Sequence, residues 1–341
     1  MEKITAPVAM ARMLARLPTA VPSSMGYFYS PRLAHHIRQE LAATNFDLIF
    51  VHCSSVAPYV ADVRGVPKIL DFCDMDSQKW LEYTKYRRFP LSLGYWLEGM
   101  KMQRAEKILA RKFDYCSCAT RAEMDTLNAY NVGVPTTWFP NGVDHEFFRP
   151  TTEPYDPDTI CFIGRMDYFP NQECMHDFCA NTLPLIRRRR PGVKLTIVGA
   201  DPSADIRQLG TLEGVTVTGS VPDVRPYVLR SAVNVAPLNI ARGTQNKILE
   251  SLAMGVPVVT SNRAAGGIDA VAGEHFLTAA SPQEYAESII RLLENPAERQ
   301  QFAAAGRARV VSHHDWHASM TRLDTVIEAC LASRQVLQTT M

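Results

Sequence analysis

From Thr159 onward, short β-branched apolar runs alternate with helical stretches, and that alternation limits the fold more than any other feature of the chain. Runs at Thr159 to Ile163, Val193 to Val198, Val215 to Val217, Ala232 to Ala236 and Val256 to Val259 predict strands of a parallel sheet covered on both faces. Ligands of such sheets collect beyond the carboxyl ends of the strands. Gly164-Arg165, Gly199-Ala200, Gly219-Ser220 and the loop ahead of Gly243 all stand at those ends. With 341 residues the chain can bury two cores, and 46% hydrophobic and 21% charged residues at a net charge of +1 exclude a disordered chain or a generic nucleic-acid binder.

The most polar of those loops opens the stretch ARGTQNKILESLAMGVPVVT, Ala241 to Thr260. Gly243 permits close approach of a ligand to backbone, Thr244 is the expected N-cap, and Gly255 and Pro257 end a short helix. Lys247 and Glu250 lie three apart and project from one side of that helix. Free N–H groups at the helix start, joined by a lysine charge, suit a phosphate or diphosphate, and Glu250 suits sugar hydroxyls. An ordinary surface helix with one acid and one base has the same spacing. Arg165, following a strand and Gly164, suits a bidentate contact to a diphosphate or is a plain loop arginine.

The pattern G-x-x-x-K-x-x-E-x-x-A-x-G-x-P-V-V resembles the donor-site signature of retaining glycosyltransferases of family 4. The longer wording ARGTQNKILESLAMGVPVV resembles, more narrowly, the exosortase-associated sugar transferases of bacterial exopolysaccharide loci. The resemblance implies an α/β chain of the GT-B fold, with two Rossmann-like domains facing a cleft. Residues 1–150 would form the acceptor-side domain and 151–312 the donor domain. The last helix, 313–333, would cross back to the first domain. The segment PNGVD, Pro140 to Asp144, resembles the family's interdomain joint.

Implied activity is transfer of a sugar, with retention, from a nucleotide diphosphate sugar to a glycan or polyprenyl-linked acceptor, without metal or further cofactor. Arg165 and Lys247 would hold the diphosphate, and Glu250 the ribose or sugar hydroxyls. Gly164 and Gly243, Thr244, Gln245 and Asn246 would line the phosphate loop, and Ser220 to Val224 would lie near the base. His52 matches the second histidine of the family's H-x-H, whose first position is Phe50 here, and would stand on the acceptor side. Two departures are evident. Asn171 occupies a position where the family often has lysine, and Arg242 one where it commonly has a first glutamate; Lys247 would make up the first loss, and Arg242 itself suits an anionic donor.

The opening differs from a doubly wound domain, which starts with a strand and a glycine loop. Helix-like MARMLARL and HHIRQELAA precede the first strand signal, Asp47 to His52, which falls mid-sheet in the suspected family. Further strands are predicted at Lys68 to Phe72, Phe113 to Cys118 and Thr137 to Phe139. About two or three βα units are therefore expected to be absent, at ~30 residues each, with weak transfer but intact donor binding as the result. The rival readings are a non-catalytic nucleotide- or partner-binding remnant and a GT-B sugar-nucleotide epimerase.

Eight cysteines without metal-ligand spacing suit a reducing cytoplasm. Glu2, Arg12 and Arg16 break any export-signal core, and no run is long enough to span a bilayer. Asp74-Met-Asp76 has the D-x-D spacing of the other glycosyltransferase fold, but reads as loop or acceptor-side residues. Arg187 to Arg190 suit a solvated helix C-terminus. Between Lys79 and Lys112, cations interleave with Trp80, Tyr83, Tyr86, Phe89, Tyr95 and Trp96. That pattern suits peripheral contact with the inner face of the bacterial plasma membrane or an amphipathic helix pair packed on a sheet.

Overall fold

The computed structural model describes residues 4–339, so Glu2 lies outside the described residues. One compact unit runs to Phe139 and resumes at Met320; the other is Pro140–Ser319. Each is built on a wholly parallel sheet.

In the first unit the order is β1 (Ile49–His52), β2 (Lys68–Asp71), β3 (Tyr115–Cys118), β4 (Thr136–Trp138). Every residue of β2 is buried, including Lys68, whose Nζ donates to Ala61 O at 2.7 Å. Its parallel register with β1 sets His52 beside Asp71. Helices Asp76–Tyr83 and Leu91–Ala110 pack together, with Trp80 and Tyr95 ring centroids 5.3 Å apart. Between them they carry the basic and aromatic stretch. Buried Glu106 accepts from Ser77 N at 2.8 Å, and Glu123 from Met75 N at 2.8 Å, which satisfies free N–H groups at the start of the first of these helices. The final helix, Trp316–Thr339, adds Val326 and Cys330 to a cluster with Ile69.

The second unit has the strands β5 (Asp156–Ile163), β6 (Lys194–Val198), β7 (Val215–Val217), β8 (Ser231–Ala236), β9 (Val258–Ser261) and β10 (Leu277–Ala279), ordered β10-β9-β8-β5-β6-β7. Apolar runs such as Ile160 to Ile163 and Ala232 to Ala236 are buried because helices cover both faces. The chain moves outward from β5 through β6 to β7, then returns to β8 on the other side of β5. That reversal makes the carboxyl ends of β5 and β8 the switch point of the sheet, where a crevice forms.

Strand ends fall within three residues of the expected ones, β5 starting at Asp156 rather than Thr159, while β10, only three residues long, has no sequence signal. The helical stretch after β5 is broken into Phe169–Asp177, a π turn Phe178–Thr182 and Leu183–Arg189. Pro184, which cannot donate a backbone bond, accounts for the break. Three of the arginines expected to be solvated are paired. Arg187 donates to Val193 O at 3.2 Å, Arg189 to Glu294 at 2.8 Å, and Arg190 to Asp158. At Ser281 the hydroxyl accepts from Glu284 N at 3.3 Å with Pro282 in the first turn, and the Glu284 carboxylate accepts from Ala280 N at 2.7 Å. Among the described residues no helix is long and apolar enough to cross a membrane.

Candidate functional site

The switch point brings two loops together: the one after β5, carrying Gly164 and Arg165, and the one after β8, leading into the helix Asn246–Ala253. Lys247 Nζ donates to Asn171 Oδ1 at 2.5 Å, and Asn171 Nδ2 donates to Arg165 O at 2.7 Å. Asn171 is almost fully buried and ties the lysine to the β5 loop. The ammonium also lies 4.8 Å from the Phe162 ring centroid. Burial pushes Lys247 down to about 8, offset in part by the negative field of Glu250. Glu250 is shifted upward by burial, against the opposing pull of Lys247.

Glycine is dictated by sterics around this pair. A Cβ on Gly164 would lie 2.8 Å from Asn171 Nδ2 and 3.2 Å from Lys247 Nζ. One on Gly267 would meet Gly243 O at 2.0 Å, and Gly243 itself has φ +61°, so the β8 loop is held against its neighbour without side chains between them. The loop's start corrects one expectation. Thr244 is not the N-cap: the helix begins at Asn246, Gln245 precedes it without a side-chain cap, and Gln245 Nε2 instead donates to Arg242 O at 2.8 Å. The left-handed turn at Gly243 carries the chain past Thr244, whose Oγ1 is buried with no hydrogen-bond partner. Asn246 Oδ1 accepts from Asn141 Nδ2 at 3.3 Å, so the PNGVD segment reaches the same loop.

Arg165 is exposed, and its guanidinium is held by Asp167, at 2.7 Å through Nη2, with Asp201 at 3.3 Å. Such exposed pairs exchange at little cost when a stronger anion arrives. Ser220 and Val224 follow β7, at the same edge but two strands from β5. Val224 packs with Ile163 and Val198. A residue that sequence reasoning passed over is Glu173, whose Oε1 accepts from Asn239 at 3.1 Å while Oε2 is buried with no partner. Its pKa is raised, mainly by burial.

In the first unit His52 ends β1 with an exposed ring, and Nδ1 lies 2.9 Å from Asp71 Oδ2. Asp76 accepts from Ser54 Oγ at 2.9 Å. Burial and neighbouring Glu123 and Asp76 raise Asp74 to about 6. The parallel register also delivers Cys73 to His52 and its chain neighbour Cys53, a grouping hidden in the sequence because the two cysteines are 20 residues apart and share no metal-ligand spacing.

Residues 157–295 match the family described as Glycosyl transferases group 1. The chain is 26% identical over 327 residues, 91% of its own length and 81% of the relative's, to phosphatidyl-myo-inositol mannosyltransferase of Mycobacterium tuberculosis. It is also 26% identical over 245 residues, 66% of its length and 57% of the relative's, to glycogen synthase of the same species. Sucrose-phosphate synthase from Thermosynechococcus elongatus superposes with a TM-score of 0.70 at 18% identity, covering 89% of this chain and 78% of that one. Anabaena Alr3699/HepE in complex with UDP and glucose superposes with a TM-score of 0.67 at 14% identity, covering 87% and 81%. At these identities the structural likeness speaks to the fold, which is GT-B with two Rossmann-like units.

Proposed function

Because residues 157–295 match the group 1 glycosyltransferase family in a chain of GT-B fold, we propose that the protein moves a sugar from a nucleotide diphosphate sugar to a glycan or lipid-linked acceptor, with retention. Exopolysaccharide assembly is the proposed setting. The observation that carries the donor reading is the Lys247–Asn171–Gly164 cluster at the sheet's switch point. A half-buried ammonium, the N–H groups of the following helix and the unpartnered Thr244 Oγ1 are what a diphosphate would satisfy together. Arg165 would leave Asp167 to share the charge on the departing nucleotide. Glu250 takes the hydroxyls, Gly243 to Asn246 line the phosphate loop, Arg242 adds charge for the anionic donor, and Ser220 to Val224 border the base. His52, held by Asp71, stands in the unit proposed to receive the acceptor.

Calorimetry of the full chain with UDP and GDP, with and without EDTA, tests the donor site. Binding of at least one nucleotide with unchanged affinity in EDTA is expected. A strict requirement for a divalent ion would instead point to Asp74 and Asp76.

The acceptor is proposed to lie at a membrane surface, on the cytoplasmic face. Phe89 is 79% and Leu91 62% exposed, flanked by Arg87 and Arg88 and followed by exposed Leu93, Trp96 and Leu97. Apolar tips next to cations suit anionic lipid. Sedimentation with phosphatidylglycerol vesicles should carry the protein down, and Phe89→Ser with Leu91→Ser should release it; equal binding to neutral vesicles would remove the electrostatic part of the proposal.

A further inference from the structure

We propose that Cys53, Cys73 and His52 form a binding site for a soft divalent cation of the zinc class, with Asp71 as the group that orients the imidazole. All four residues come from the carboxyl ends of β1 and β2 and the positions just beyond them. One donor atom from each of His52, Cys53 and Cys73 lies within 4.8 Å of the others. The sulfurs are 4.0 Å apart, and Cys73 Sγ is 3.5 Å from His52 Nε2.

Those separations suit one metal. Zinc–sulfur bonds of about 2.3 Å and zinc–nitrogen bonds of about 2.0 Å at tetrahedral angles put two sulfurs roughly 3.8 Å apart and sulfur and nitrogen roughly 3.5 Å apart. A disulfide, by contrast, requires the sulfurs to close to about 2.05 Å. His52 Nδ1 lies 2.9 Å from Asp71 Oδ2 and 3.2 Å from Cys73 Sγ, so Nε2, 3.5 Å from that sulfur, is the ring nitrogen not engaged by the carboxylate. A carboxylate on the far nitrogen is the usual support of a metal-bound histidine. Asp71 is itself buried and held, since its Oδ1 accepts from Ser117 Oγ at 3.0 Å and from Cys73 N at 3.3 Å.

The backbone supports the same assignment. Cys53 has φ +78° and Cys73 φ +59°, two of the four non-glycine residues found in that region among the described residues. A non-glycine residue there is strained by about 1–3 kcal/mol, and such strain gathers where a side chain must be aimed. Here both strained residues are the two thiols. Three protein ligands leave a fourth position open on the exposed side of His52. No ligand of this site lies in the Pro140–Ser319 unit, so the inference is independent of the donor reading. It bears on the acceptor reading: Nε2 bound to a metal is withdrawn from an acceptor hydroxyl, and the two roles of His52 exclude each other.

Cobalt(II) titration of the full, reduced, EDTA-stripped chain tests the proposal. One equivalent should bring up a thiolate-to-cobalt charge-transfer band and tetrahedral visible bands, both abolished by Zn2+. The band should vanish in Cys53→Ser/Cys73→Ser, and Asp71→Asn should weaken binding about 10- to 100-fold. On the unmutated chain, Zn2+ should slow alkylation of Cys53 and Cys73 and of no other cysteine. Absence of the band while both thiols titrate as free, its persistence in the double variant, or a Cys53–Cys73 disulfide in anaerobically purified protein would each overturn the assignment.

Discussion

A Lys247→Met chain should melt above the unmodified protein yet bind nucleotide diphosphate roughly 10- to 150-fold more weakly, the equivalent of about 1.5–3 kcal/mol for a lost charge-assisted contact. Both halves follow from burial. In the free protein the ammonium is held at about 8 against an ordinary 10.5, so the charged form is disfavoured by folding; methionine fills similar volume without that penalty, a gain expected to outweigh the lost contact to buried Asn171 Oδ1. Below pH 8 both folded and unfolded chains carry the proton. Between about 8 and 10.5 only the unfolded chain does, and stability therefore rises with pH across that window. A bound diphosphate reverses the preference by stabilising the ammonium. Affinity should be flat below pH 8 and then fall, approaching tenfold per unit, until the pKa of the complex is reached. The slope should be missing in Lys247→Met. Calorimetry across pH together with thermal melts checks this, and unchanged affinity in the variant would remove Lys247 from the site.

The second large effect concerns a residue that touches no proposed ligand. An alanine Cβ at Gly199 would lie 1.7 Å from Gly164 O and 2.7 Å from Gly164 C, atoms of the adjoining strand end that no rotamer can move. Gly164 N is at the same time fixed to Val198 O at 3.0 Å. Gly199→Ala must therefore push the β5 loop away from β6, at a cost of about 3 kcal/mol or more. The melting midpoint should fall by several degrees, and nucleotide binding should fall with it because Gly164 positions Asn171 and Lys247. Gly192→Ala, whose Cβ would meet nothing within 4 Å, is the matched control and should be silent. Equal behaviour of the two variants would show that the backbone approach at Gly199 is not needed.

How far the sequence reveals this molecule depends on whether a feature is local. The β-branched runs at Ile160 to Ile163 and Val258 to Val259 identify their strands because burial on both faces leaves few other residue types acceptable. Lys247 and Glu250 were legible for a similar reason, since helical spacing alone sets them on one side. The N-cap differs because the left-handed turn at Gly243 moves the helix start by one residue, from Thr244 to Gln245 as the capping position, and Thr, Gln and Asn in succession offer no local contrast. Asn171 reads from sequence only as a missing lysine, whereas in the fold its Oδ1 accepts from Lys247. Cys53 and Cys73 meet only through the β1–β2 register. The usable signal was a thiol just past each of two predicted strands, in line with His52 and Asp71.

The division of the first unit has a consequence for synthesis. Ile69 sits wholly buried in β2, and part of what covers it is Val326 and Cys330. On the ribosome those two residues emerge only after the whole of Pro140–Ser319, a contiguous unit free to close first. The nascent first unit must therefore wait, with a strand of its sheet uncovered, while more than half of the chain is translated, about 10–40 seconds at 5–20 residues per second. Demand for a holdase in the cell would thus come from the part of the protein made earliest, and slowing translation late in the message would lengthen that exposure.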